Sequence, residues 1–281
     1  MYSDGGTITN STGGRINTGS GTAYIMFAQN SGTANNQGTL SYSGSGSAIQ
    51  VNGATANNSG TITATNGNGI SANATTSTGA NALNSGTITV SSNSGKGMVA
   101  TSSNADATIT NTASGIINIS GTNGVGMYAD GTQAKAINLG TININNTSAS
   151  AVGMKAVNGG SVENAGTINM AAGSTGTGIY IGSDSKLYNN ASGKIVFNGG
   201  NTHTGAITGD PSSGAVNICE DGTNTCSNKR FVYMESGSQL INSGTMVTAA
   251  SFRLNEMGGG QMVLGLSLIH ISEPTRPEPI S

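Results

Sequence analysis

One short motif recurs along this chain and limits what it can fold into. Asn, followed closely by Gly-Thr-Ile, is written as Asn36-Gln-Gly-Thr-Leu40, Asn58-Ser-Gly-Thr-Ile62, Asn84-Ser-Gly-Thr-Ile88, Asn138-Leu-Gly-Thr-Ile142, Asn164-Ala-Gly-Thr-Ile168 and Asn242-Ser-Gly-Thr-Met246. Two copies carry extra turn residues, Asn111-Thr-Ala-Ser-Gly115 and Asn189-Asn-Ala-Ser-Gly193, and a degenerate copy sits at Gly6-Thr-Ile-Thr9. From Asn to Asn the steps are 22, 26, 27, 27, 26, 25 and 53 residues, the last being two periods. A second motif, Gly-[Ile/Met], usually written Gly-x-Gly-[Ile/Met]-x-Ala, runs in phase at Ile70, Met98, Met127, Met154 and Ile179. A fixed period of 20–50 residues marks a stacked repeat.

Inside each unit the apolar residues alternate. Ile142 and Ile144 share one face, as do Ile117 and Ile119, Ile88 and Val90, and Ile195 and Phe197. Period two is the strand signature. Strands this short cannot bury a core alone, but they can if each period is one coil and like strands pair in parallel on the next coil. The expected fold is all-β: a right-handed parallel β-helix of about ten coils, three short strands each. Ile62, Ile88, Ile117, Ile142, Ile168, Ile195 and Met246 are expected to form an inward ladder. Asn58, Asn84, Asn138, Asn164 and Asn242 are expected at the turns, where Gly and Asn accept left-handed conformations.

Composition agrees and removes other classes. Charged residues are 8%, aromatics 4%, Trp is absent, and Gly is 45 and Asn 34 of 281. A helical bundle needs the strong helix formers Glu, Lys and Arg, which are scarce here. Ten Lys+Arg against twelve Asp+Glu, net −2, cannot make the basic stripe that nucleic acid requires. Disorder usually comes with high net charge and does not place an Ile in phase every 26 residues or so.

The final segment breaks the texture. Three of the four prolines lie in the last eight residues, and Leu266-Ser-Leu-Ile-His-Ile-Ser-Glu-Pro-Thr-Arg276 resembles a translated sequencing-library transposase adapter. Residues 266–281 are therefore set apart from a β-helix region 1–265, whose end coils would both present open strand edges. Met262–Ile271 is too short to span a bilayer, and Met1-Tyr-Ser-Asp-Gly-Gly has no signal-peptide pattern, so the chain reads as a fragment of a longer protein.

The sequence offers little catalytic chemistry. The carboxylates include Asp106, Asp130, Glu163 and Asp184, and no pair recurs one period apart. His203 stands in a loop-like stretch without a ligand partner, and Gly258-Gly-Gly260 does not open a helix. No catalytic residue, cofactor or metal is expected. Cys219 and Cys226 are the only cysteines. Their spacing permits a disulfide loop, within a possible insertion at 218–230; two free thiols or redox chemistry are the alternatives.

The phased Gly-x-Gly-Met-x-Ala and Asn-x-Gly-Thr-Ile-Asn motifs resemble the passenger domains of large type V autotransporter adhesins of the fusobacterial type. Phe231-Val-Tyr-Met-Glu-Ser-Gly-Ser-Gln-Leu-Ile-Asn-Ser-Gly-Thr-Met246 and Gly258-Gly-Gly-Gln-Met-Val-Leu-Gly265 are similar to a later part of that region. The resemblance implies a bacterial cell-surface fibre joined to the outer membrane by a β-barrel that this chain does not contain. Its partner would be a protein or glycan on host or bacterial surfaces. The expected function is an adhesive, non-enzymatic passenger. A polysaccharide-cleaving β-helix is the alternative. An ice-binding solenoid is a third reading, suggested by Thr61/Thr63 and Thr87/Thr89.

Overall fold

The computed structural model describes residues 1–265, apart from 76, 147, 149, 172–175, 198–200, 205, 211–214, 221–229, 236–237, 249–251 and 258–260; at 201–231 and 245–265, and at 197, only the backbone is described. Among the described residues every regular element is a β-strand. The first coil consists of Tyr2–Asp4, Thr7–Asn10 and Arg15–Asn17. Each later coil repeats that order, and like strands pair in parallel into three sheets. Seven turns carry the chain to an eighth coil that ends at Lys194–Phe197. Arg230–Met234, Gln239–Asn242 and Thr245–Thr248 then lie parallel on it as a ninth coil.

The chain is thus a parallel β-solenoid with coils of about 26 residues. The stack is shorter than the expected ten coils because the segment after Phe197 leaves it. Asn201–Thr204, Ala206–Asp210 and Ala215–Glu220 pair antiparallel with the three strands of the ninth coil. Phe252–Met257 and Gln261–Gly265 add one further antiparallel layer. The C-terminal edge of the parallel stack, expected to be open, is therefore covered. Reversed strands satisfy its amides without offering another parallel register.

The two phased motifs of the sequence touch each other inside the rod. Ile62, Ile88, Ile117, Ile142, Ile168 and Ile195 are fully buried, face one another in register along the third sheet, and continue to Met246. Met26, Ile49, Ile70, Met98, Met127, Met154, Ile179 and Val232 form the matching buried column of the first sheet. Between the columns lie the motif glycines. A Cβ on Gly126 would stand 2.5 Å from Ile142 Cγ2 and 2.4 Å from the Gly153 carbonyl oxygen, and Gly97 and Gly153 meet Ile117 and Ile168 in the same way. The glycine makes room for the isoleucine of its own coil, which is why the two motifs keep phase.

The third inward feature is polar. Asn10, Asn36, Asn58, Asn84, Asn111, Asn138, Asn164, Asn189 and Asn242 end the second-sheet strands and are buried. Each donates its side-chain N–H to the amide oxygen of the next, at 2.5–2.9 Å. Most of them send the other N–H to a backbone carbonyl at the corner, as Asn58 does to Gly60. The expectation that Asn58, Asn84, Asn138, Asn164 and Asn242 are turn residues is therefore corrected. They are strand residues, and among the described residues positive φ outside glycine falls at Asn30, Ser31, Asn158 and Asp184. An inward amide is tolerable only because a ladder at the coil spacing satisfies it in both directions.

Candidate functional site

The core is regular, so among the described residues the three outward faces are where a partner can be met. On the third sheet the outward columns are Thr39, Thr61, Thr87, Ile116, Thr141, Thr167 and Asn17, Ser41, Thr63, Thr89, Asn118, Asn143, Asn169. Hydroxyls in the early coils give way to an amide ladder, in which Asn143 donates to Asn118 at 2.8 Å and Asn169 to Asn143 at 3.0 Å. A shallow cavity of about 100 Å³ near the N-terminal end is lined by Asn17, Thr18, Ser41, Tyr42, Ser43, Thr63 and Thr65. The Thr-x-Thr array is interrupted at Ile116.

The second sheet carries the ion pair Lys135–Glu163, 2.8 Å. Hydrogen bonding from Lys135, aided by Asn190, holds the Glu163 carboxyl below its ordinary range despite partial burial. Leu83, Tyr188 and Ile241 are exposed on the same face.

The first sheet is different again. By register its outward column runs Tyr2, Phe27, Gln50, Ser71, Val99, Tyr128, Lys155, Tyr180, Tyr233, with Phe27, Ser71 and Val99 themselves buried. At the N-terminal end Tyr2, Phe27 and Tyr24 are stacked. Further along, the Lys155 ammonium lies 4.3 Å from the Tyr180 ring centroid, Tyr180 stacks on Tyr233 at 4.9 Å, and the Lys96 ammonium lies 5.2 Å from the Tyr128 ring. Tyr128 donates to Asp130 at 3.3 Å, Asn158 donates to the same carboxylate at 2.7 Å, and Tyr180 donates to Glu235. Burial, with the Asp130 charge and hydrogen bond behind it, pushes the Tyr128 phenol up to about 12. Burial also lowers Lys96, the Lys155 ammonium adds to this, and Asp130 partly offsets it.

The carboxylates singled out in the sequence are not gathered together. Asp130 ends a first-sheet strand, Glu163 lies on the second sheet, and Asp184 takes a left-handed corner at φ 60°. Among the described residues no group of three or more His, Cys, Asp or Glu could hold a metal. The side chains of His203 and Cys219 lie outside the described residues, as do Cys226, Gly258–Gly260 and the tail 266–281; the Cys219 backbone belongs to strand Ala215–Glu220. Sequence reading passed over the Tyr/Lys column, although the signal was present: Tyr128 and Lys155 fill the x of the [Ile/Met]-x-Ala motif, and Tyr180 takes the same slot after Ile179.

Neither comparison, with curated proteins or with solved structures, finds a match for this chain. Residues 120–193, which hold the sixth and seventh coils, the first two strands of the eighth and Tyr128, Lys155 and Tyr180, match the protein-family model described as the third pectate lyase-like domain of BigA.

Proposed function

We propose that this chain is a non-enzymatic segment of a bacterial surface passenger, a rod that presents long regular faces for adhesion to host or partner cells. One observation supports it most: outward columns of Thr, Ser, Asn, Tyr and Lys repeat coil after coil in register. Such faces suit a partner that runs along the rod, whereas a reaction needs convergent groups at one place. The resemblance to fusobacterial-type passengers points the same way, and the match of residues 120–193 to a BigA domain model supports the β-solenoid scaffold on which the reading stands. On this reading the rod stands outside the outer membrane, attached through a translocator beyond this chain.

The test is binding of the fluorescently labelled 281-residue protein to epithelial cells and to a panel of bacterial cells. Saturable binding supports the reading, and its absence from every cell type refutes it. The words "pectate lyase-like" in the matching family description favour one second reading, cleavage of an acidic polysaccharide. Release of unsaturated ends from homogalacturonan with added Ca²⁺ would establish that reading instead.

A further inference from the structure

At the C-terminal end of the rod the order of strands in space differs from their order in the chain. Asn201–Thr204 follows Lys194–Phe197 after only Asn198-Gly199-Gly200, a spacing and composition that in a sequence mark a hairpin. The two strands are nevertheless not partners. Thr245–Thr248 lies between them, parallel to the first and antiparallel to the second. The other two sheets repeat this. Gln239–Asn242 separates Lys186–Asn189 from Ala206–Asp210, and Arg230–Met234 separates Thr177–Ile181 from Ala215–Glu220. The ninth coil is thus wedged between the eighth coil and a cover that precedes it in the chain.

Two features make the wedge separable. Its ends meet: Glu220 and Phe252 are antiparallel partners, so the excursion 221–251 starts and finishes at one place on the ladder. The cover and the outer layer hold each other without it, through this ladder and the one between Ala206–Asp210 and Gln261–Gly265. The second feature is register. Ile179, Ile181, Leu187 and Asn189 of the eighth coil stand in line with Val232, Met234, Leu240 and Asn242 of the ninth, and all eight are buried. In the cover Ile218, Val216, Gly209 and Ile207 pair with those ninth-coil residues. With the ninth coil out, the same cover residues would meet Ile179, Ile181, Leu187 and Asn189, and Thr202 would meet Val196 in place of Val247. No strand changes direction or face, and the edge stays covered.

We propose that the ninth coil is an exchangeable insert, and that the antiparallel cover docks in the same register on the eighth coil whenever the insert is out. The rod then has a long and a short state, both capped. The long state buries Val232, Met234 and Leu240 and extends the amide ladder from Asn189 to Asn242, which makes it the ground state. The short state follows chain order, so the cover closes the stack before the ninth coil is in place.

Native-state hydrogen exchange of the whole 281-residue chain, read by mass spectrometry in low urea, tests this. Peptides from 230–248 should open in a step of their own, while those from 177–197 and 201–220 stay protected. Leu240→Ala should speed exchange in 230–248 at least about tenfold and leave 201–220 unchanged. Fraying from the end gives the opposite order, with the cover released before or together with the coil beneath it. Exchange of 201–220 ahead of or together with 230–248, or unaltered exchange of 230–248 in L240A, would overturn the proposal; if L240A did not fold, the order in the unmodified chain would decide. A second variant traps the short state. V196C/T202C, made together with C219S/C226S, places the new cysteines about 10 Å apart in the long state, two strand spacings, and within disulfide reach in the short one. Oxidation should close the disulfide and strip protection from 230–248 alone. A disulfide that does not form, or one that leaves 230–248 protected, would also overturn the proposal.

Discussion

Asn138 sits mid-way along the buried amide ladder. It accepts from Asn111 at 2.9 Å and donates to Asn164 at 2.9 Å. Asn138→Asp changes no volume, so it opens no cavity. It can still accept from Asn111, but an ionised carboxylate cannot donate, so two acceptors face each other across the step to Asn164. Leaving the buried Asn164 oxygen without a donor costs about 1–3 kcal/mol. A carboxylate buried without a cation adds several kcal/mol more. The side chain can escape by taking up a proton, whose O–H then donates to Asn164. Its folded pKa is therefore raised above the unfolded value of about 3.9. The folded state binds the extra proton, so the penalty is full above the folded pKa. It shrinks by about 1.4 kcal/mol per pH unit as pH falls from there toward the unfolded pKa. Urea unfolding followed by circular dichroism, near neutral pH and at about pH 4.5, should show N138D far below wild type in the first condition and much closer in the second. Asn143→Asp is the control, since its ladder lies on the outward face within reach of water. If N138D lost no more stability than N143D, or if its deficit were independent of pH, the ladder would not be the buried polar spine described here.

Ile142→Asp should cost several kcal/mol by burying an unpaired charge, whereas Thr141→Asp on the outward side should be mild; equal effects in denaturant titrations would contradict the alternation. Gly126→Ala should destabilise by about 1–3 kcal/mol, because the new methyl meets a backbone carbonyl that cannot swing aside; a neutral result would remove the glycine–isoleucine fit as the reason for the phase. Deleting residues 266–281 should leave the melting temperature unchanged, and a fall of several degrees would show that the tail is native and supports the rod. Truncation after Phe197 removes the strands that cover the stack, so light scattering should report more self-association than for the whole chain; equal monodispersity would argue against a capping role.

Much of this architecture was legible because a solenoid writes its contacts into the period. A residue's neighbour across the ladder is its counterpart one period on, so aligning the repeats is nearly equivalent to reading the register, as for Ile88, Ile117 and Ile142. Two features escaped for physical reasons. Asn next to Gly favours left-handed corners, so sequence alone points Asn58 and its equivalents to the turns. Only the stacked geometry reveals that an inward amide finds a donor and an acceptor one coil away on either side. The antiparallel cover escaped because strands reversing direction carry no period. Within the candidate site the positions, though not their meaning, were visible: Tyr128, Lys155 and Tyr180 occupy a variable slot, and variability within a repeat marks the face free to specialise.

The departure of the chain after Phe197 bears on how such rods diversify. Thirty-two residues separate Phe197 from Arg230, yet Ile179 still meets Val232, Leu187 meets Leu240 and Ile195 meets Met246. The ladders set which residues must match, but not how much polypeptide runs between them. Corners can therefore gain or lose residues freely, as the 22-residue step from Asn36 to Asn58 also shows, because loop closure becomes only slowly more costly with length. New modules can be spliced at any corner while the scaffold beneath keeps its register, and each face can change its chemistry one coil at a time.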